Sequence, residues 1–519
     1  MNSSDDSITP DGSESTVPAV AAPEFDAYAL PADAIEDPPT SLWKALGRIG
    51  PGLILAGSIV GTGELIATTG LGAEQGYVLL WLILVSCVIK VFVQVELGRY
   101  AITHGKTTLA AFDTLPGPRL GTSWMGWLWL FMMLTTQAQI AAMEGLVGQA
   151  ADMAFPSVSN AVAAQAGKID AKWGEFLAGH KEHFWATLTG LAAIVLLISG
   201  GYKRLEHITT FLVALVTLIT VACVLGLPFT EYPVNWDEMA TGFAFTLPAS
   251  GLALAFSAFG ITGVGASELF AYPYWCIEKG YARSTGPREP GEAWGRRARG
   301  WLRVMQLDAW FSMVVFTVAT VAFYLLGAAV LHPQGLDPKG PEMIATLSSM
   351  YVKPLGVWTR EVFLIGAWAV LFKTLYVATA ANSRLTADFL ELTGIWKTNG
   401  PRGRDRVVKA FCVVYPVLAL ALYFVLREPK LLVAIGGSAQ ALMLPLIAGA
   451  TIFLRQRDAD RRSAPIFFTD ILVWIAFFSL SAFAIYYMYD LVNKNHETAL
   501  RSFDALLNGV RRLLYGRSA

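Results

Sequence analysis

Apolar residues dominate eleven stretches of the chain, near 51–72, 77–99, 125–150, 184–200, 207–228, 245–275, 306–331, 361–382, 407–426, 431–454 and 466–491. As a helix, each is long enough to cross a bilayer core of roughly 30 Å. The pattern predicts an all-α, multi-pass membrane protein with about 11 transmembrane helices. Two stretches break the rule. In Ile59 to Gly70, IVGTGELIATTG, three glycines and a carboxylate stand where hydrocarbon is expected.

That segment has an echo in span six. Ile59, Gly61, Gly63, Glu64, Leu65 and Ala67 correspond to Ile261, Gly263, Gly265, Glu268, Leu269 and Ala271, with two extra residues before the second glutamate. Five spans run from the first motif to just before the second, and five more reach span ten. An odd number of spans per half puts the halves in opposite topology, the inverted-repeat plan of many secondary transporters. The expected organisation is a transporter domain over 46–492, with repeat one at 46–228, repeat two at 240–455 and an extra helix at 464–492.

Glycine weakens a helix by about 1 kcal/mol relative to alanine, so Gly61 with Gly63 and Gly263 with Gly265 are expected helix breaks. Unwinding frees carbonyls that need a partner where there is no water. The expected site joins Glu64, Glu268 and Thr62 with the freed carbonyls of Gly61 and Ala266. Close packing of helices is the other use of such glycines; the recurrence of the motif with a buried glutamate favours a site.

Composition sharpens the outline. The 519 residues are 54% hydrophobic and 15% charged, with mean hydropathy +0.49. Residues 1–45 are acidic and rich in Ser, Pro and Ala, with no Lys or Arg before Lys44, and read as a disordered tail. The net charge of -1 gives no reason to expect a nucleic-acid partner. Cys87, Cys223, Cys276 and Cys412 fall in or beside apolar runs and read as packing thiols.

Basic residues concentrate in the connections after spans two, four, six, eight and ten, which the positive-inside rule assigns to the cytoplasm together with the N-terminus. A plasma (inner) membrane location follows. An odd span count sends the tail of 493–519 outside, and its Leu500, Phe503, Leu507, Val510 and Leu514 have the spacing of an amphipathic surface helix.

Several pieces together resemble the natural resistance-associated macrophage protein (NRAMP) family of divalent metal transporters: GPG at 50–52, GYVLLW at 76–81, LGRYAITHGK at 97–106, GYKRLE at 201–206, and Gly265 with Ala266. The resemblance implies a LeuT-type 5+5 inverted-repeat fold of the APC superfamily, with a midplane site between broken helices one and six. Family members bind a transition metal through Asp-Pro-Gly-Asn on the first helix and Ala-x-x-Met-Pro-His on the sixth. Here Gly61, Thr62, Gly63 and Glu64 stand in the first motif, and Ala266, Ser267, Glu268, Leu269, Phe270 and Ala271 in the second. Only one glycine and the alanine are kept, so the chain is a divergent member.

Losing the family's methionine removes a soft ligand, and carboxylates with carbonyls suit Mg or Mn instead. Glu64 and Glu268 facing each other would form a hard oxygen site, and their mutual repulsion would make proton exchange natural. Gln440 in span ten is a further ligand candidate, against the plainer role of bonding another helix. Lys90 and Lys373 lie within apolar spans at a cost of at least about 2.5 kcal/mol unless paired. The resemblance places span eight beside span one, where Lys373 would either stand in for a coupling cation or pair with Glu64 or Glu268. Glu96 reads as a surface ion pair with Arg99, and Glu144 as a proton relay or a structural carboxyl. No catalytic motif stands out, so no enzyme is expected, and no resident cofactor: the metal is cargo. Beyond the lipid bilayer, the partners expected are a metal ion or a small-molecule substrate. The rival reading is a LeuT-fold carrier of a small organic solute such as an amino acid.

Overall fold

The computed structural model describes residues 28–31, 34–59, 61, 63–199, 202–248, 251–397, 400–464 and 467–515. Among these, ten helices are long and apolar enough to cross a membrane. Span one is the eleventh pass, and it is in pieces. Its first part, α1 (Pro51–Ile59), is followed by a π-helical turn, Gly63–Thr68, and by α2 (Thr69–Gln75). The next four spans are continuous: α3 (Leu80–His104), α4 (Trp124–Ala154), α5 (Lys181–Ser199) and α6 (Tyr202–Gly226).

Span six is interrupted as well. Helix α7 (Leu252–Ile261) stops at Thr262, and α8 (Ala266–Glu278) starts after Gly265. Between them Gly263 has φ +65°, a conformation that a side chain would strain. Spans seven to eleven are α9 (Glu292–Leu326), α10 (Thr359–Leu392), α11 (Gly400–Leu426), α12 (Pro429–Asp458) and α13 (Phe467–Tyr515).

The interrupted spans lie in the core. Helix α7 packs on α12, α8 on α3, and α1 on α9 and α10, while α4 touches α5, α10, α11 and α12. Helices α5, α6, α11 and α13 are mostly exposed along their apolar length, which is the surface lipid would cover. Outside the spans, Pro156–Ile169 and Ala171–Gly179 form a helical pair joining α4 to α5, and Met343–Leu355 packs against α10. The spans left these loop helices unannounced, because their short amphipathic runs carry no membrane-length signal.

The two ends of the chain differ from expectation. Residues 1–27 of the acidic tail lie outside the described residues. Disorder as far as 45 does not hold for 28–31 and 34–45: Tyr28 Oη donates to Glu278 Oε1 at 2.9 Å, Glu36 N–H to Ser284 O at 3.0 Å, and Leu42–Leu46 is helical. Tyr28, Leu30 and Ile35 supply the apolar surface that the composition of the whole tail hides. At the other end, the tail from 493 continues span eleven as one helix to Tyr515. Its side chains from 494 on, which carry the expected amphipathic face, lie outside the described residues.

Candidate functional site

Both breaks meet at one small, partly polar cavity of about 50 Å³. Its wall includes Gly63, Ser267, Glu268, Gln139, Asn382 and Gln440, drawn from both interrupted spans and from α4, α10 and α12. Glu268 is on the first turn of α8, where the helix dipole and loose N–H groups favour a negative charge. Gln440 fixes that turn: its Oε1 accepts from Ser267 N–H at 3.0 Å, and its Nε2 donates to Gln139 Oε1 at 2.9 Å. A Cβ on Gly265 would stand 2.5 Å from Glu268 Oε2 and 2.8 Å from Gln440 Oε1. The absent side chain is what leaves these two oxygens side by side.

Glu64 behaves differently. It is fully buried but does not line the cavity. Thr320 of α9 donates to its Oε1 at 3.0 Å, and its Oε2 is buried without a hydrogen-bond partner among the described residues. The two glutamates therefore do not share one pocket. The π-helical turn carries residue 64 toward span seven, so Glu64 ties the break in span one to α9 while Glu268 alone offers a carboxylate to the cavity.

The carbonyls expected to be free are also accounted for otherwise. Gly61 O accepts from Leu65 N–H at 2.9 Å. Ala266 opens α8, and a helix start frees N–H groups, not carbonyls. The carbonyls set loose belong to the end of α7, and Lys90 takes them: its Nζ donates to Phe259 O at 2.8 Å and to Thr262 O. Thr62 lies outside the described residues.

Lys373 Nζ donates to Thr210 Oγ1 at 2.9 Å and sits against Gly57 of α1, so tightly that a Cβ there would collide with it. Among the described residues, its ion pairs include neither Glu64 nor Glu268. Glu144 is buried on α4 against Gly190, and neither of its oxygens has a hydrogen-bond partner among the described residues. Glu96 is not on the surface: it is buried between Arg99, at 3.2 Å, and Arg455, because α12 and the chain after it close over this end of α3. The four cysteines are buried thiols.

Sequence reasoning missed Gln139, Asn382, Thr374 and Met143 as cavity residues. The runs TTQAQ in span three and ATAANS in span eight were the available signal, since amides and hydroxyls at mid-span are costly unless used. Met143 also returns a thioether to the wall after its loss from span six. No group of three His, Cys, Asp or Glu stands together among the described residues, so amide, hydroxyl and water oxygens would have to complete any cation shell around Glu268.

Comparison with known proteins agrees with this architecture. A family profile described as natural resistance-associated macrophage protein-like matches residues 52–490. A divalent metal cation transporter, MntH, of Latilactobacillus sakei subsp. sakei (strain 23K) is 21% identical over 393 residues, 74% of this chain and 75% of that protein. The crystal structure of the Eremococcus coleocola manganese transporter, in complex with an aromatic bis-isothiourea substituted compound, superposes with a TM-score of 0.57 at 15% identity, covering 87% of this chain and 88% of that one. MhsT in complex with L-phenylalanine gives 0.51 at 16% identity, covering 88% and 99%. The arrangement is the LeuT-type fold.

Proposed function

The chain belongs to the natural resistance-associated macrophage protein-like family, and from that premise we propose that it is a secondary active transporter carrying a divalent metal cation across the membrane as cargo, with no resident cofactor. One observation carries the reading: Glu268 faces a small cavity whose other polar walls are the amides and hydroxyls of Gln139, Gln440, Asn382 and Thr374. One carboxylate among neutral oxygens holds a hard cation such as Mg²⁺ or Mn²⁺ loosely enough to release it. At 10–15 Å³ per water, about 50 Å³ holds on the order of three to five water-sized groups. That suits an ion with part of its shell; most amino acids need more room, so the organic-solute reading is not favoured.

Proton coupling is the form of energy input we assign. Glu144 is a buried carboxyl with no hydrogen-bond partner among the described residues, on the helix that also supplies Gln139 to the cavity. The basic connections support a cytoplasmic N-terminus, and we assign the chain to a plasma (inner) membrane. The end that carries them is tied together, with Arg457 bonded to Thr114, Arg462 to Glu289 O and Arg384 to Glu278.

The test is metal binding and uptake by the full chain in reconstituted vesicles, with Mn²⁺, Mg²⁺, Ca²⁺ and amino acids as probes. Glu268→Gln is expected to abolish divalent binding while the protein stays folded. Wild-type metal binding by that variant, or amino-acid uptake indifferent to divalent ions, would overturn the reading.

A further inference from the structure

We propose that the basic end of α9 holds an anionic phospholipid: a groove between α9 and α13, floored by α3, takes the phosphodiester on Arg303 and the start of the acyl chains on Trp310 and Phe92. The inference goes beyond the cargo reading and needs only the membrane-spanning fold. It starts from spacing. Arg296, Arg299, Arg303, Gln306 and Trp310 recur every three or four positions, so they form one stripe along α9. Over about 20 Å of helix that stripe passes from charge to amide to aromatic ring, the order in which a lipid passes from headgroup to hydrocarbon.

The stripe borders an open space. Helices α9 and α13 both pack on α3, and the groove they leave has a volume of about 670 Å³, within the roughly 300–1,000 Å³ of ligand pockets. Its wall combines Arg303, Gln306 and Trp310 of α9 with Phe92 of α3 and Thr469 and Leu472 of α13. The Trp310 ring meets that of Phe92 edge to face, with centroids 5.2 Å apart. Tryptophan favours the level where headgroups give way to hydrocarbon. Exposed side chains mark the same boundary nearby: Phe467 and Phe468 at the start of α13, and Leu42 of the short helix Leu42–Leu46, which lines a second groove sharing Arg299 and Arg303.

Charge decides what fills the groove. The acids around it are already matched: Glu96 lies between Arg99 and Arg455, Asp470 pairs with Arg455, and Glu292 pairs with Arg299. Arg299 also donates to Arg462 O at 2.7 Å. Arg303 is different. It is exposed and has no hydrogen bond or ion pair among the described residues. Its planar fork of donors fits a phosphate bidentately, with the Gln306 amide and the Thr469 hydroxyl on the same wall as further donors. A zwitterionic headgroup would bring its own cation to a rim of arginines, which repel it. An anionic headgroup satisfies the rim while its chains cover the apolar floor.

The test uses the full chain, purified in a neutral detergent and stripped of lipid, then titrated with phosphatidylglycerol or phosphatidylcholine at about 0.15 M salt. Native mass spectrometry reads bound lipid, and melting curves read the stabilisation that binding confers. Phosphatidylglycerol is expected to bind several-fold more tightly than phosphatidylcholine and to raise the melting temperature. Arg303→Gln is expected to weaken phosphatidylglycerol binding about fivefold, Arg303→Lys to weaken it less, and Trp310→Ala to weaken both lipids alike. Arg303 has no partner to lose, so its variants should melt with wild type when no lipid is present. Arg406→Gln, an equal change of charge at the exposed start of α11, is expected to leave binding unaltered. Equal affinity for the two lipids, or a loss from Arg406→Gln as large as that from Arg303→Gln, would overturn the inference, because general attraction to the surface would then account for binding. Displacement of phosphatidylglycerol by millimolar inorganic phosphate would overturn the lipid assignment in favour of a free anion.

Discussion

Asp308 of α9 caps the start of α1: its Oδ1 accepts from Gly50 N–H at 3.0 Å and its Oδ2 from Gly52 N–H. A buried carboxylate thus satisfies two of the four donors that a helix start leaves open, and Pro51 between them needs none. The first half of span one is thereby fastened to span seven. Asp308→Ala is expected to cost about 1–3 kcal/mol of stability, and Asp308→Asn less, since the amide keeps one acceptor. Thermal unfolding in detergent checks the order; equal melting temperatures for all three proteins would remove the anchor.

Gly265 predicts a separation of transport from stability. A Cβ there presses chiefly on Glu268 Oε2 and Gln440 Oε1, the far ends of flexible side chains, and stands 3.1 Å from the Gly260 carbonyl oxygen, which a shift of a few tenths of an ångström relieves. Gly265→Ala is expected to push the carboxylate off its position and lower metal transport by tenfold or more, since displacements of about 1 Å cost on the order of a hundredfold. The melting temperature should stay within about 2 °C of wild type. Uptake at the wild-type rate would mean that Glu268 is not where the cation binds.

How far the sequence reached is clearest at the two glutamates. The breaks at Gly61 with Gly63 and at Gly263 with Gly265 were legible, because paired glycines in a hydrocarbon run have few other uses, and both spans are interrupted there. The direction of each side chain was not. The π-helical turn Gly63–Thr68 gives span one a different winding from span six, so Glu64 meets Thr320 while Glu268 meets the cavity. Lys90 was recognisable as an oddity in span two, but its partners lie about 170 positions away, at Phe259 and Thr262. They are backbone oxygens, which no side-chain pattern reveals. Gln139 and Asn382 became visible only when α4 and α10 were brought to the same cavity.

Tyr28 and the end of α8 form a bonded layer one turn beyond the cavity wall. Ala271 and Trp275 line the cavity, and one turn further on Glu278 pairs with Arg384 at 2.8 Å and accepts from Tyr28. Arg404 stacks over the Tyr28 ring at 4.2 Å and pairs with Asp388 at 2.9 Å. Tyr28→Ala is expected to loosen this layer, and Tyr28→Phe to do so less, since the ring stays under Arg404. With Ala381→Cys as a reporter in the cavity wall, a water-soluble thiol reagent should label the Tyr28→Ala protein several-fold faster, the four native buried thiols serving as the slow background. Unchanged labelling would show that Tyr28 is no part of the barrier.

Asp113, in the connection between spans two and three, yields a prediction about acid. Its Oδ1 accepts from Thr122 Oγ1 at 2.7 Å and from Ser123 N–H at 2.8 Å, the residue just before α4, and its Oδ2 accepts from Arg119 at 2.6 Å. Partial burial pushes this carboxyl up, but the donors outweigh it and hold it below its ordinary value. A carboxyl depressed in the folded state adds stability above its unfolded pKa of about 3.9, and that part is lost as pH falls through the folded value. Asp113→Asn is therefore expected to melt below wild type at neutral pH, with the gap closing as pH is lowered from about 5 toward 3. Melting curves of both proteins across that range provide the check, and a gap that is constant with pH would mean the carboxylate's charge contributes nothing to holding the start of span three.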